Sequence, residues 1–259
     1  MPTILVIGAT RGLGANLASQ YASKPSTTVY ATARSEPSLS SPQNSNIKWI
    51  SSVDVSTESA GKTIASSISK DKAKIDNVII TAGYFGKESF DEPDWDKQLT
   101  MYKTSAMGPV FITQALVKAD LLGKGSKIVI VSSESGSITL RHESEGGGMF
   151  GHHASKAASN MVGKLLSLDL KDKGIAVGIV HPGFMRTEMT KSVGFDKFWD
   201  DGGAVTPDVA AKSLIEFTES FDISKTGQYW APRGPGDIGT AEQTLGKKGE
   251  LPTPLQLPW

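Results

Sequence analysis

The chain has 259 residues, with 27 Lys plus Arg set against 27 Asp plus Glu and a formal net charge of zero. Such a length can bury one large α/β core, and no shift in composition marks a second, so a single domain over 1–259 is expected. The balanced charge offers no basic face for nucleic acid or for an anionic membrane. The absence of cysteine removes disulfides, thiolate nucleophiles and Cys-based zinc sites, so no metal centre is expected and a reducing, cytoplasmic setting fits.

The first apolar run, 3–7, is too short for a signal core or a membrane span and reads as a buried strand. Gly8, Gly12 and Gly14 follow, then a helical pattern over 13–23. A strand over 27–32 leads to Ala33 and Arg34, and the Ser- and Pro-rich stretch 35–46 reads as a surface loop. Strands at 47–50, 76–80, 126–132, 175–180 and 227–230 alternate with helices at 57–69, 95–119, 152–171 and 207–219. The last helix opens with Thr206 as N-cap and Pro207 at the first helical position. The connection 183–206 lacks periodicity and has the length of a lid, while the Pro- and Gly-bearing tail 233–259 is expected to wrap the surface or partly fray. Alternating strand and helix define an α/β fold, a doubly wound parallel sheet of about seven strands with helices on both faces.

A strand, a glycine-rich turn and a helix in succession form a phosphate-binding unit. The backbone must turn sharply there, and free N–H groups at the helix start favour an anion. Gly8, Thr10, Arg11, Gly12, Leu13 and Gly14 make up this turn. The spacing G-x-x-x-G-x-G resembles the short-chain dehydrogenase/reductase family, a Rossmann-fold family. Further landmarks follow in family order: Asp54-Val55, Thr81-Ala82-Gly83, Ser132-Ser133, the "ASK" ending at Lys156, and His181-Pro182-Gly183. The pattern is most similar to the carbonyl-reductase-like branch, of the C-factor and sniffer type.

The resemblance implies a nicotinamide dinucleotide, with Asp54 and Val55 at the adenine, Thr81, Ala82 and Gly83 along the cleft, Pro182 and Gly183 beneath the nicotinamide, and Thr187 near its carboxamide or phosphate side. Thr81 stands where the family commonly has Asn. Where an NAD site usually ends its second strand with an acid, this chain has Ala33 followed by Arg34, so no carboxylate repels a 2′-phosphate. Arg34 and Arg11 can fork onto that phosphate, and NADP(H) is the expected cofactor.

At the reacting end the family uses a serine, a tyrosine, a lysine and an asparagine. Ser133 and Lys156 match their positions, but the tyrosine position holds His152 and the asparagine position holds Ser105. His152 and Lys156 are four residues apart and share a helix face. An imidazole is shorter than a phenol by roughly a bond or two. Lys156 and an oxidised nicotinamide would both push His152 toward its neutral form, a usable base and a poor acid. Tyr84, Tyr102, Arg141, His142 and Glu143 are other polar groups near this end, whereas Phe150 cannot donate a proton. His153 is expected to face solvent and His181 to end a strand. Tyr84, Glu134, Met185, Met189, Phe195 and Trp199 are the candidate substrate contacts, and the apolar content of 183–206, which includes Phe198, suits a hydrophobic small molecule.

Three readings stay open on the sequence. One is an NADP(H)-dependent oxidoreductase interconverting a carbonyl and a secondary alcohol. Another is a non-redox isomerase, dehydratase or cyclase with His152 as base. The third is a catalytically silent NADP(H)-binding regulatory protein. The resemblance implies a homodimer or homotetramer built through the helices at 95–119 and 152–171.

Overall fold

A computed structural model describes residues 1–259. Eight strands form one sheet: β1 (Thr3–Ile7), β2 (Thr28–Thr32), β3 (Ile47–Ile50), β4 (Asn77–Ile80), β5 (Lys127–Val131), β6 (Ala176–Val180), β7 (Tyr229–Ala231) and β8 (Leu255–Gln256). Their order is β3-β2-β1-β4-β5-β6-β7-β8. The first seven run parallel, as the alternating pattern requires, and β8 pairs antiparallel with β7.

Strand periodicity divides the core into two layers. Leu5, Ile7, Val78, Ile80, Ile128 and Ile130 face one side, under α2 (Ser59–Ser69), α4 (Gly108–Lys118) and the end of α5 (Phe150–Leu170). Ile4, Val6, Val29, Ile79 and Val129 face the other, under α1 (Gly12–Ala22) and α7 (Pro207–Ser220). The direction of strand progression reverses between β1 and β4, which opens a crevice beyond their carboxyl ends.

The structure corrects four expectations. The single helix over 95–119 is α3 (Trp95–Tyr102), a π-helical turn at Lys103–Met107, and then α4. Pro109 has no N–H to offer the Ser105 carbonyl, and the Gly108 N–H reaches back five residues to the Lys103 carbonyl. A Cβ on Gly108 would stand 2.3 Å from the Val55 carbonyl oxygen, so glycine lets the widened turn press against that loop.

The tail neither frays nor merely wraps. Ile238, Ala241, Leu255 and Leu257 are buried with Tyr229 and Leu140 in a third cluster, and β8 is the eighth strand. The connection 183–206 is structured by α6 (Glu188–Ser192), a bridge between Met185 and Val205, and an Arg186–Asp200 ion pair at 2.8 Å. Thr206 stands at the N-cap of α7 in extended geometry, but its side chain makes no bond to the helix N–H groups.

Candidate active site

At the crevice lies a cleft of about 810 Å³. One end is built by the β1–α1 turn, where Gly8, Thr10, Arg11, Gly12, Leu13 and Gly14 all line the wall. A Cβ on Gly14 would lie 2.2 Å from the Gly8 carbonyl oxygen and 2.6 Å from Thr81 Oγ1, so only glycine permits this packing. Arg11, at the N-cap of α1, makes no side-chain cap bond, which leaves the first N–H groups of an eleven-residue helix free for an anion. Thr81 Oγ1 donates to the Ile7 carbonyl at 2.8 Å and ties the ends of β1 and β4 together beside Ala82 and Gly83.

Arg34, Asp54 and Val55 line the same end, with no acid at Ala33. Hydrogen bonds from Ser56 at 2.7 and 2.9 Å hold the Asp54 carboxyl below the usual carboxylate range, with a smaller contribution from Arg34. This donor-rich cradle fits a dinucleotide with a phosphorylated ribose.

Ser133, His152 and Lys156 line the other end together. Ser133 Oγ accepts from the Ser135 N–H at 3.2 Å, leaving its own hydrogen free for a substrate oxygen. Lys156 is buried on α5 and donates to the Val131 carbonyl at 2.9 Å; burial lowers its pKa to about 8. His152 stacks on Phe85 with ring centroids 4.0 Å apart. Burial, then the charge of Lys156, then His153 and Arg141 lower its pKa to about 3, so the ring is neutral. Its Nδ1 is buried without a partner, and Nε2 is the nitrogen left open.

Pro182, Gly183, Met185, Thr187, Met189 and Phe195 bring the 183–206 connection over the cleft, and Tyr84 and Glu134 line it as well. Two candidates stand elsewhere. Ser105 is buried in the π-helical turn with an unpartnered Oγ, and its neighbour Thr104 faces the cleft instead. The Trp199 indole donates to Thr190 Oγ1 at 3.2 Å within the lid, and the turn at Asp196–Phe198 presents Phe198 to the cleft in its place.

His153 is half-buried rather than directed to solvent. Its Nδ1 lies 2.9 Å from the Met149 carbonyl, which fixes the proton there, and Nε2 accepts from Arg141 at 3.3 Å. Arg141 also pairs with Glu145 at 3.1 Å, and His181 directly follows the last residue of β6 and is buried. His142 caps the short turn at Glu143–Glu145, outside the cleft, while Phe150 packs edge-on against Phe90. Phe85, Phe184 and Met149 are lining residues that the sequence reading passed over. For Phe85 the signal was its place directly after Tyr84; for Met149 it was the glycine run before it.

A Rossmann-type fold with a dinucleotide cradle and a Ser, His and Lys cluster beyond it defines a class of nucleotide-binding α/β protein. The short chain dehydrogenase family model matches residues 2–197, and the chain belongs to that family. A short chain dehydrogenase, gsfK, of Penicillium aethiopicum is 32% identical over 245 residues, 88% of this chain and 95% of that one. The 1-hydroxy-2-glutathionyl-2-methyl-3-butene dehydrogenase of Rhodococcus sp. (strain AD45) is 28% identical over 229 residues, 88% and 96% of the two chains. Among solved structures, NADPH-bound carbonyl reductase from chicken fatty liver superposes with a TM-score of 0.79 at 21% identity, covering 92% of this chain and 98% of its own. The carbonyl reductase Sniffer of D. melanogaster superposes with a TM-score of 0.77 at 20% identity, with both chains covered in full.

Proposed function

We propose that this protein is an NADP(H)-dependent oxidoreductase that interconverts a carbonyl and a secondary alcohol on a fairly apolar small molecule. The observation that carries the reading is one cleft shared by the glycine cradle, Arg34, Ser133, His152 and Lys156. The carbonyl reductase whose fold it shares binds NADPH, and the Rhodococcus relative is a dehydrogenase. Arg11 and Arg34 would hold a 2′-phosphate, the free N–H groups of α1 the pyrophosphate, and Lys156 the nicotinamide ribose. When bound, the cofactor supplies or accepts hydride.

Ser133 Oγ–H would donate to the substrate oxygen. A neutral His152 with its proton on Nε2 would donate a second hydrogen bond to the same oxygen, which stabilises the negative charge that develops there. Held at about 3, His152 is as weak a base as it is poor an acid, so the reading in which it abstracts a proton loses its main support. Phe85, Phe184, Phe195, Met185 and Met189 give the substrate an apolar wall.

The reading includes a homodimer or homotetramer. Met107, Val110 and Phe111 around the start of α4 are 50%, 37% and 38% exposed, and Met161, Leu165 and Leu168 on α5 are 59%, 53% and 59% exposed, a run of apolar surface that a second copy would cover. No helix is long and apolar enough to cross a membrane.

The test is NADPH oxidation by the purified protein across a panel of apolar aldehydes and ketones. Carbonyl-dependent oxidation that His152→Ala depresses is the expected result; tight NADPH binding with no oxidation by any carbonyl overturns the reading.

A further inference from the structure

Reduction of a carbonyl consumes a proton as well as a hydride, and the N–H of a neutral His152 can donate a hydrogen bond but is too weak an acid to release its proton. The other polar groups at the reacting end are mostly committed. His153 spends Nδ1–H on the Met149 carbonyl and Nε2 on Arg141, and Glu145 is paired with Arg141. His181 donates from Nε2 to the Asp237 carbonyl at 3.1 Å and accepts at Nδ1 from the Glu134 N–H at 3.0 Å. Lys156 donates to the Val131 carbonyl on the cofactor side. Lys156 keeps further N–H donors, which the oxidoreductase reading assigns to the nicotinamide ribose; of the other groups, Glu134 adjoins Ser133 in the chain, and Tyr84 makes no hydrogen bond that would aim its hydroxyl at the serine.

Glu134 is placed with more constraint. It follows Ser133 directly, in a turn pinned by the Tyr229 hydroxyl on the Ser133 carbonyl and by His181 on the Glu134 N–H. Its Oε2 accepts from the Gly239 N–H at 3.2 Å, while Oε1 has no protein partner and is not sealed from solvent. The tail therefore holds one oxygen of the carboxyl group, the other is without a protein partner, and Glu134 lines the same cleft as Ser133, its neighbour in the chain.

We propose that Glu134 is the acid that delivers the proton to the substrate oxygen in carbonyl reduction, and the base that removes it in alcohol oxidation. The role rests on the oxidoreductase reading above. Hydride adds to the carbonyl carbon, the C=O π pair moves onto oxygen, and that oxygen takes the Glu134 proton. The carboxylate left behind is reprotonated from solvent. Burial pushes the Glu134 carboxyl up to about 7, against the opposing pull of the Gly239 N–H and Arg141. The charged and titratable groups that face it are Arg141 and Glu145 on the following loop, Lys248 on the tail, His153 on α5, His181 after β6 and Tyr229 on β7.

Infrared difference spectra of the protein without cofactor, taken from about pH 5 to about pH 9, test the titration directly. A protonated-carboxyl band that disappears as pH rises through about 7 is expected in the wild type and absent from Glu134→Gln, which keeps the shape and an oxygen for Gly239. In the NADPH assay kcat for reduction should fall as pH rises through that value, and kcat for oxidation should rise. Glu134→Gln should lose about a hundredfold in reduction at acidic pH and flatten the profile, with Glu134→Asp restoring part of the rate and the pH dependence.

A Glu134→Gln variant with the full rate and an unchanged profile overturns the proposal, as does loss of the pH dependence in Tyr84→Phe instead. A wild type that oxidises NADPH with no carbonyl is a different outcome: the functional reading itself then falls and this role with it, whatever the infrared band does.

Discussion

His152 is an imidazole made neutral by its surroundings, and Phe85 stacks on its face. Phe85→Ala opens that face, so the His152 pKa should climb from about 3 toward the ordinary 6.5, which the pH dependence of its ring-proton NMR shifts would report. His152→Ala removes one donor to a developing oxyanion and should cost about a hundredfold in kcat. His152→Tyr carries a hydroxyl roughly a bond or two further into the cleft, and carbonyl reduction should increase, as read in the NADPH assay. At the opposite end, Arg34→Ala removes a charged fork from the 2′-phosphate position. The KM for NADPH should rise about tenfold while that for NADH stays level, since only the former carries the phosphate.

The elements carry these residues with little slack. In Gly14→Ala, backbone would be forced against backbone at the Gly8 carbonyl, so a loss of about 1–3 kcal/mol is expected, read as a lowered urea midpoint, together with weakened NADPH binding by calorimetry. This cradle was legible because its cause is local: a buried strand, glycines at fixed spacing and a helix adjoin one another in the chain. The seven parallel strands were legible for the same reason, through short apolar runs between helical periods. The π-helical turn was not, although Pro109 was in plain view. A proline near a helix start is also a favoured residue, and what decides here is the approach of Val55 to Gly108 from a distant part of the chain. The two-residue β8 has too few residues for any periodicity, and only the β7 edge gives it a partner. His153 was misplaced because its burial depends on Arg141 and Met149 coming together in a loop whose path periodicity does not describe.

Across the whole molecule, these buried groups make stability depend on pH in two opposing ways. His181 is 4% exposed, and its Nδ1 accepts from the Glu134 N–H, so protonation would break that bond as well as bury a charge. Burial lowers its folded pKa, as it does for His152 and His153. A lowered histidine pKa means that below about 6.5 the unfolded chain takes up protons that the folded protein refuses. The stability these groups contribute is thus present above that pH and lost as pH falls, at about 1.4 kcal/mol per pH unit for a fully buried histidine such as His181. Glu134 acts in the other direction. Its folded pKa of about 7 lies above the ordinary 4.5, so its contribution is present below 4.5 and lost as pH rises through 7. Between these values three histidines oppose one carboxyl, and acidification should destabilise the protein overall. Urea midpoints should therefore fall from about pH 7 to about pH 5.5. Glu134→Gln removes the only opposing group of this set and should make that fall steeper, whereas His181→Asn should make it shallower. A midpoint that holds constant or rises on acidification in the wild type would mean that the folded protein binds at least as many protons as the unfolded chain over this range, which runs against three histidines kept neutral by burial, His152 among them.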